Sequence, residues 1–210
     1  RTRSKYLGDI VNSTLATALR KDQTNTAFGT STDYSTFLAN KLSKMVGSLV
    51  VNANDGFMHV IDADSGAQRF AYMPSTVLPS LYTLATTDYA VSKHRFTVDG
   101  PLSVFDTQAT STSSWRTVAF GGTGAGGKAY FAVKLFEGVD STPTVLWEIK
   151  APDTPNTNNP FNNLGYAYSK PEVARMADGT GIVVLGNGYG SSTQKASLFV
   201  LNANTGALIK

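Results

Sequence analysis

The segments HVIDADSG (residues 59–66) and FVLNANTG (199–206) carry one pattern: apolar residues in alternation, then Asp or Asn, Ala, Asp or Asn, Ser or Thr, and Gly. Alternation puts successive side chains on opposite faces of a strand. The ending closes it, because Gly66 and Gly206 can take the positive φ of a tight turn while Asp and Asn side chains satisfy nearby backbone N–H groups. Each segment thus predicts a strand running into a hairpin, and FAVKLFEG (131–138) is a weaker third copy.

Working outward from each copy gives four short strands in order, the anatomy of a propeller blade. The first set is Asp9–Ala16, Ser48–Ala53, Phe57–Ala63 and Gln68–Met73. The second is Val98–Asp106, Arg116–Gly121, Ala129–Leu135 and Thr144–Ile149. The third is Lys170–Met176, Gly181–Gly186, Ser197–Asn202 and Ala207–Lys210. The second strand of each set (GSLVVNA, WRTVAFG, GIVVLGN) is a continuous apolar run, as expected of a strand covered on both faces. Trp115 and Trp147 are read as packing between blades.

The fold class that follows is all-β, a partial β-propeller of about three four-stranded antiparallel blades with loop and short-helix insertions. Residues 1–210 form a fragment of a single propeller domain, with blade units near 7–74, 95–150 and 165–210 and insertions at 20–46, 75–94 and 151–164. In the first insertion Phe37, Leu38, Leu42 and Met45 fit one face of a short helix. Closed propellers need about four to eight blades, so three units leave apolar faces open. The residues expected there are Val11, Leu15, Val50, Val183, Leu185 and Val200.

Composition supports a folded β domain: 41% of residues are hydrophobic and only 16% charged. Lys and Arg are scattered singly behind a net charge of +3, so nothing follows a phosphate backbone, and nucleic acid is not an expected partner. No apolar run is long enough for a membrane-spanning helix, and any secretion signal is expected upstream of Arg1. The absence of cysteine excludes disulfides and thiolate metal sites without deciding the compartment.

Several motifs invite chemistry that their context denies. Gly122, Gly124 and Gly127 satisfy a dinucleotide-binding pattern, and with Lys128 the first part of a P-loop. Both require a following helix whose N-terminus binds phosphate, whereas Ala129–Val133 continues as a strand and Ala129 replaces the Mg²⁺-binding hydroxyl. Asn52, Asn54, Asp55 and Gly56, or Asp62 and Asp64, suggest a calcium loop but lack its spacing and its twelfth-position Glu; turn formation explains them. His59 and His94 lie in different units without metal-ligand spacing, and no nucleophile elbow is present. No catalytic, cofactor-binding or metal residue is assigned.

Eight blocks in sequence, LGDIVNST (7–14), VVNANDGFMHVIDADSG (50–66), AYMPSTVLPSL (71–81), HRFTVDGPLSVFD (94–106), WRTVAFGGTGAGGKAYFAVKL (115–135), LWEI (146–149), LGYAYSKPEVARMADG (164–179) and VVLGNGYGS (183–191), resemble the C-terminal propeller of the PilC/PilY family of type IV pilus tip and adhesion proteins. The chain departs from that pattern at Thr14, where the family usually has Pro, and at Lys134 and Asn202, where it usually has Asp. The resemblance implies a secreted bacterial protein at the pilus tip or outer-membrane surface. Its implied roles are non-catalytic: pilus assembly, retraction control and surface attachment, with minor pilins and a host-cell or abiotic surface ligand as partners. It also implies calcium for the full-length protein, in a loop beyond Lys210 and not in this fragment. Two alternatives remain at this point: a pyrroloquinoline-quinone dehydrogenase, whose repeats also run through Thr-Gly turns but need recurrent Trp where this chain has Phe70, and a scaffold propeller with an unrelated partner.

Overall fold

The computed structural model describes residues 7–25, 32–87, 89 and 93–210. Its strands form three antiparallel sheets in chain order. The first contains β1 (Ala16–Ala18), β2 (Ser48–Ala53), β3 (Phe57–Asp62) and β4 (Gln68–Tyr72); the second contains β5 (Leu102–Thr107), β6 (Arg116–Gly122), β7 (Ala129–Glu137) and β8 (Thr144–Lys150). The third contains β9 (Glu172–Arg175), β10 (Gly181–Gly186) and β11 (Leu198–Asn202). Within each sheet every strand pairs antiparallel with its neighbour in sequence. The insertions hold α1 (Thr32–Lys44), a 3-10 segment (Ser75–Ser80) and α2 (Leu81–Ala85). Residues 26–31, 88 and 90–92 of the expected insertions lie outside the described residues.

Two expected strands differ. The first was placed at Asp9–Ala16, but β1 covers only Ala16–Ala18. Upstream, the backbone turns to side-chain partners: Gly8 N–H donates to Asp55 and Asn12 N–H to Asp99, while Asp9 C=O accepts from Asn54 N–H. A segment whose polar groups are used this way has none left for a ladder. At the other end, Ala207–Lys210 forms no full strand. Leu208 makes an isolated bridge to Leu201, and Ile209 and Lys210 both donate to Val200 C=O.

The second sheet is covered on both faces. Val50, Met58 and Val60 of the first sheet share a core with Leu102, Ala119, Phe131, Val133 and Leu135. The alternate residues Val118, Phe120, Tyr130, Ala132, Trp147 and Ile149 share a second core with Val183, Leu185, Phe199 and Leu201 of the third sheet. Trp147 seals that joint by donating its indole N–H to Ala203 C=O at 2.9 Å. Trp115, also expected between blades, packs at a tilt against Tyr34 and Phe37 of α1, with the Arg175 guanidinium of the third sheet over its ring. This layering corrects the expected open faces. Val11 and Leu15 are exposed, at 54% and 60%, but Val50, Val183 and Leu185 are buried against the second sheet. For Val183 and Leu185 the expectation is off by one residue of strand parity, which moves a side-chain set to the opposite face, whereas beside Val50 the next residue, Val51, is buried as well. Leu198, on the other face of β11, is exposed, and Val200 is half-buried.

Helix α1 begins with Asp33 and ends with Lys41 and Lys44, matching its dipole. Its buried face is Tyr34, Phe37, Lys41 and Met45, whereas Leu42, expected there, is 52% exposed. Lys41 is inside because Asp106 of β5 meets it: Nζ donates to both carboxylate oxygens, at 2.7 and 3.0 Å, and to Asp22 C=O. The side chains are 1% and 0% exposed. Tyr34 and Thr117 hydroxyls also donate to Asp106, so each remaining lone pair finds a partner, the condition under which a buried ion pair is tolerated. Burial, and then the nearby Asp106 charge, push the Tyr34 hydroxyl pKa upward.

Gly66 and Gly206 both adopt the positive φ read from their turns, 73° and 70°. A Cβ at Gly66 would meet open space, while one at Gly206 would lie 2.8 Å from the Trp147 ring. Gly66→Val is therefore expected to cost about 1–3 kcal/mol from backbone strain alone. Gly206→Val should cost more, because it also displaces the inter-sheet tryptophan. Urea denaturation of both variants checks this ordering, and equal losses would show that Trp147 is not held by the turn.

Candidate functional site

The sequence blocks that stand far apart in the chain meet at one joint between the first two sheets. Asn52, on β2, donates its side-chain amide to Gly100 C=O at 2.9 Å and to Gly122 C=O at 3.3 Å. Asn54 donates to Asp9 and Asp99 and accepts from Thr97 N–H. Asn12 donates to Asp99 through both its backbone and its side chain. The third unit joins through Gly124 N–H to Ala167 C=O and Ala167 N–H to Gly127 C=O. Side-chain amides and carboxylates here do the work of missing ladder partners, which is why Asn and Asp are concentrated in these blocks. A second tie lies at the outer strands, where Glu148 of β8 accepts from Tyr72 and from both Ser75 donors.

The Gly-rich stretch is a hairpin, and β7 starts at Ala129 directly after it. Its glycines answer to packing: a Cβ at Gly126 would lie 1.9 Å from Thr97 C=O. With a strand after the loop, no helix N-terminus is available for phosphate, as the sequence context implied.

Asp55 and His59 form a buried pair. His59 Nε2 lies 3.1 Å from each Asp55 oxygen, and Nδ1 lies 2.9 Å from Gln68 Oε1. Asp55 further accepts from Gly8 and Phe57 N–H. Burial opposes the charge on both groups, but the hydrogen bond and attraction between them outweigh it, so Asp55 falls below its usual 3.8 and His59 rises above its usual 6.5. His94 lies 2.9 Å from Asp9, on the carboxylate oxygen that also accepts from Asn54. Calcium does not fit these residues. Asp55 and Asn54 are spent on hydrogen-bond donors, and Asp62 caps its own turn by accepting from Asp64 and Ser65 N–H. Among the described residues no three His, Asp or Glu side chains are grouped to hold a metal ion.

The family described as the PilY1 beta-propeller domain matches residues 7–210. The chain belongs to the PilY1 β-propeller family. It is 38% identical over its whole length to the type IV pilus biogenesis factor PilY1 of Pseudomonas aeruginosa, and 36% identical to a PilY1 homologue of Xylella fastidiosa. It spans 17% and 14% of those proteins. The crystal structure of the P. aeruginosa PilY1 C-terminal domain superposes with a TM-score of 0.67 at 33% identity, over 93% of this chain and 36% of that one. The three sheets are therefore blades of a PilY1-type propeller. Among the described residues no helix is long and apolar enough to cross a membrane.

Some residues of the joint escaped the sequence reading. Asp99 falls inside the strand expected at Val98–Asp106, but β5 starts only at Leu102, and the buried role of Asp99 is visible only once Asn12 and Asn54 are brought beside it. Lys41 carried a signal, since it occupies the helix face shared by Tyr34, Phe37 and Met45.

The His59–Asp55 pair makes stability depend on pH. His59 is raised, so its contribution is complete below 6.5 and is lost as pH rises through the folded value; Asp55 is lowered, so its contribution is present above 3.8 and is lost as pH falls through its depressed value. The pair is fully effective between those limits. His59→Gln should cost more stability at about pH 5.5 than at about pH 9. Denaturation curves giving the same loss at both would show that the imidazole is not charged in the fold.

Proposed function

We propose that this chain is the blade-bearing part of a type IV pilus biogenesis factor, acting without catalysis at the pilus tip or outer-membrane surface. Its role is to support pilus assembly, retraction control and surface attachment. The observation that carries this reading is whole-length similarity to PilY1 proteins named as type IV pilus biogenesis factors, together with the family match across all three sheets. The joint supports it physically. Its Asn, Asp and Gly residues hold blades together, and polar groups already paired to one another are poorly placed to act on a substrate.

A rigid set of sheets carrying long loops suits binding. Minor pilins are the proposed protein partners, with a host-cell or abiotic surface ligand for attachment. Calcium belongs, in this proposal, to the full-length protein and to no residue of this chain. The dehydrogenase alternative predicts dye reduction when the protein is supplied with pyrroloquinoline quinone, calcium and an alcohol; none is expected.

The test is genetic. In a bacterium producing the full-length protein, in-frame removal of residues 7–210, with immunodetection of the remainder, should abolish twitching and sharply reduce surface pili counted by electron microscopy. Normal piliation, twitching and attachment with the shortened protein present would overturn the proposal.

A further inference from the structure

Three tyrosines from two separate segments gather on the surface of the third unit. Tyr189 lies 5.2 Å from Tyr166 and 6.1 Å from Tyr168, ring to ring, with interplanar angles of 19° and 23°; Tyr166 and Tyr168 are 6.3 Å apart. Those distances decide the arrangement. Had the two rings flanked Tyr189 on opposite faces, their separation would approach the sum of their distances to it. The two rings therefore do not sandwich Tyr189, which is 69% exposed.

The ring is held in place. Tyr166 N–H donates to Tyr189 C=O, and Gly165 N–H to Asn187 C=O. Asn187, almost fully buried, donates to the carbonyls of Asn163 and Lys195 and accepts from Ser197 N–H. Lys128 reaches across from the Gly-rich hairpin to Gly190 C=O, with its ammonium over the Tyr166 ring. A large aromatic exposed on so well tied a loop loses little freedom on binding, which is what makes tyrosine effective at recognition surfaces.

Beside Tyr189 runs a cleft of about 720 Å³, lined also by Ser191, Gln194, Lys195 and Ser197. Gln194 holds a positive φ of 54° there. Among the residues lining the cleft the only charge is Lys195, and no carboxylate is present. The site thus offers one flat apolar face, several neutral hydrogen-bonding groups and one cation.

We propose that Tyr189 and this cleft bind an acidic pyranose, a uronate unit of an anionic polysaccharide. One face of a pyranose is a patch of C–H groups that lies flat on an aromatic ring, its rim is hydroxyls for Ser191, Gln194 and Ser197, and the uronate carboxylate answers Lys195. A neutral sugar leaves the lysine without a counter-charge, and an acidic peptide has no rigid flat face to set on the ring. This names the ligand for the attachment role and rests on that reading for its biological sense; the binding itself is measured independently of it.

The experiment is calorimetric titration of the purified full-length protein with a hexamer of α-1,4-linked galacturonic acid, with maltohexaose and a glutamate hexapeptide as controls. The uronate should bind, weakening as salt is raised. Tyr189→Ala should lower its affinity by about tenfold or more, Tyr189→Phe should retain it, and Lys195→Gln should remove the preference over maltohexaose. Circular dichroism melts matching the unaltered protein confirm that each variant folds. Lack of uronate binding, binding indifferent to Tyr189→Ala, or equal binding of the hexapeptide would overturn the proposal. Any of these would leave the pilus role intact, because piliation and twitching are scored separately.

Discussion

The constraint on which the structure depends is that the second sheet has no face of its own to give to water. Phe131, Val133 and Leu135 point one way along β7 while Tyr130 and Ala132 point the other, and both sets are fully buried. A sheet apolar on both sides is stable only between two others. The neighbouring blades therefore belong to the folding unit rather than merely adjoining it. The polar joint is arranged around the same need, since Asn52 and Asn54 fix the first sheet against the segment that leads into β5.

The buried Lys41–Asp106 pair fits this scheme as a registration device for an insertion. Helix α1 could cover β5 and β6 in several rotations by apolar packing alone. One ammonium held by Asp106 and the Asp22 carbonyl, with Asp106 itself fixed by Tyr34 and Thr117, favours one of them. Losing either charge would strand the other in the core, the arrangement in which a buried ion pair becomes costly. The insertion thus packs on the end of the second sheet away from Gly100 and Gly122, where Trp115 meets both α1 and the Arg175 guanidinium of the third sheet.

Much of this was legible in the chain. The repeated Asx-Ala-Asx-Ser/Thr-Gly endings located the hairpins after β3 and β11, and the apolar runs located β2, β6 and β10, because period and turn chemistry are local properties. What failed was non-local. Val183 and Leu185 were assigned to an open face because parity says only that alternate residues share a side, not which side a neighbouring sheet will cover. Leu42 was placed inwards because an apolar side chain suits a covered face, whereas the carboxylate that draws Lys41 into the core stands 65 positions away. The β1 boundary was misjudged for a similar reason: carboxylates from Asp55 and Asp99 captured its amides. Tyr166, Tyr168 and Tyr189 lay in blocks that read as loops, and only the fold stacks them.

The most direct test of the central claim, that the doubly covered second sheet holds the others together, is native-state hydrogen exchange followed residue by residue. The account predicts that amides of β6 and β7 exchange slowest and together, only when the whole unit unfolds, while those of β4, β9 and β11 open earlier at lower free energy. If β6 and β7 exchange no more slowly than those outer strands, the sheets are independent layers and the account is wrong.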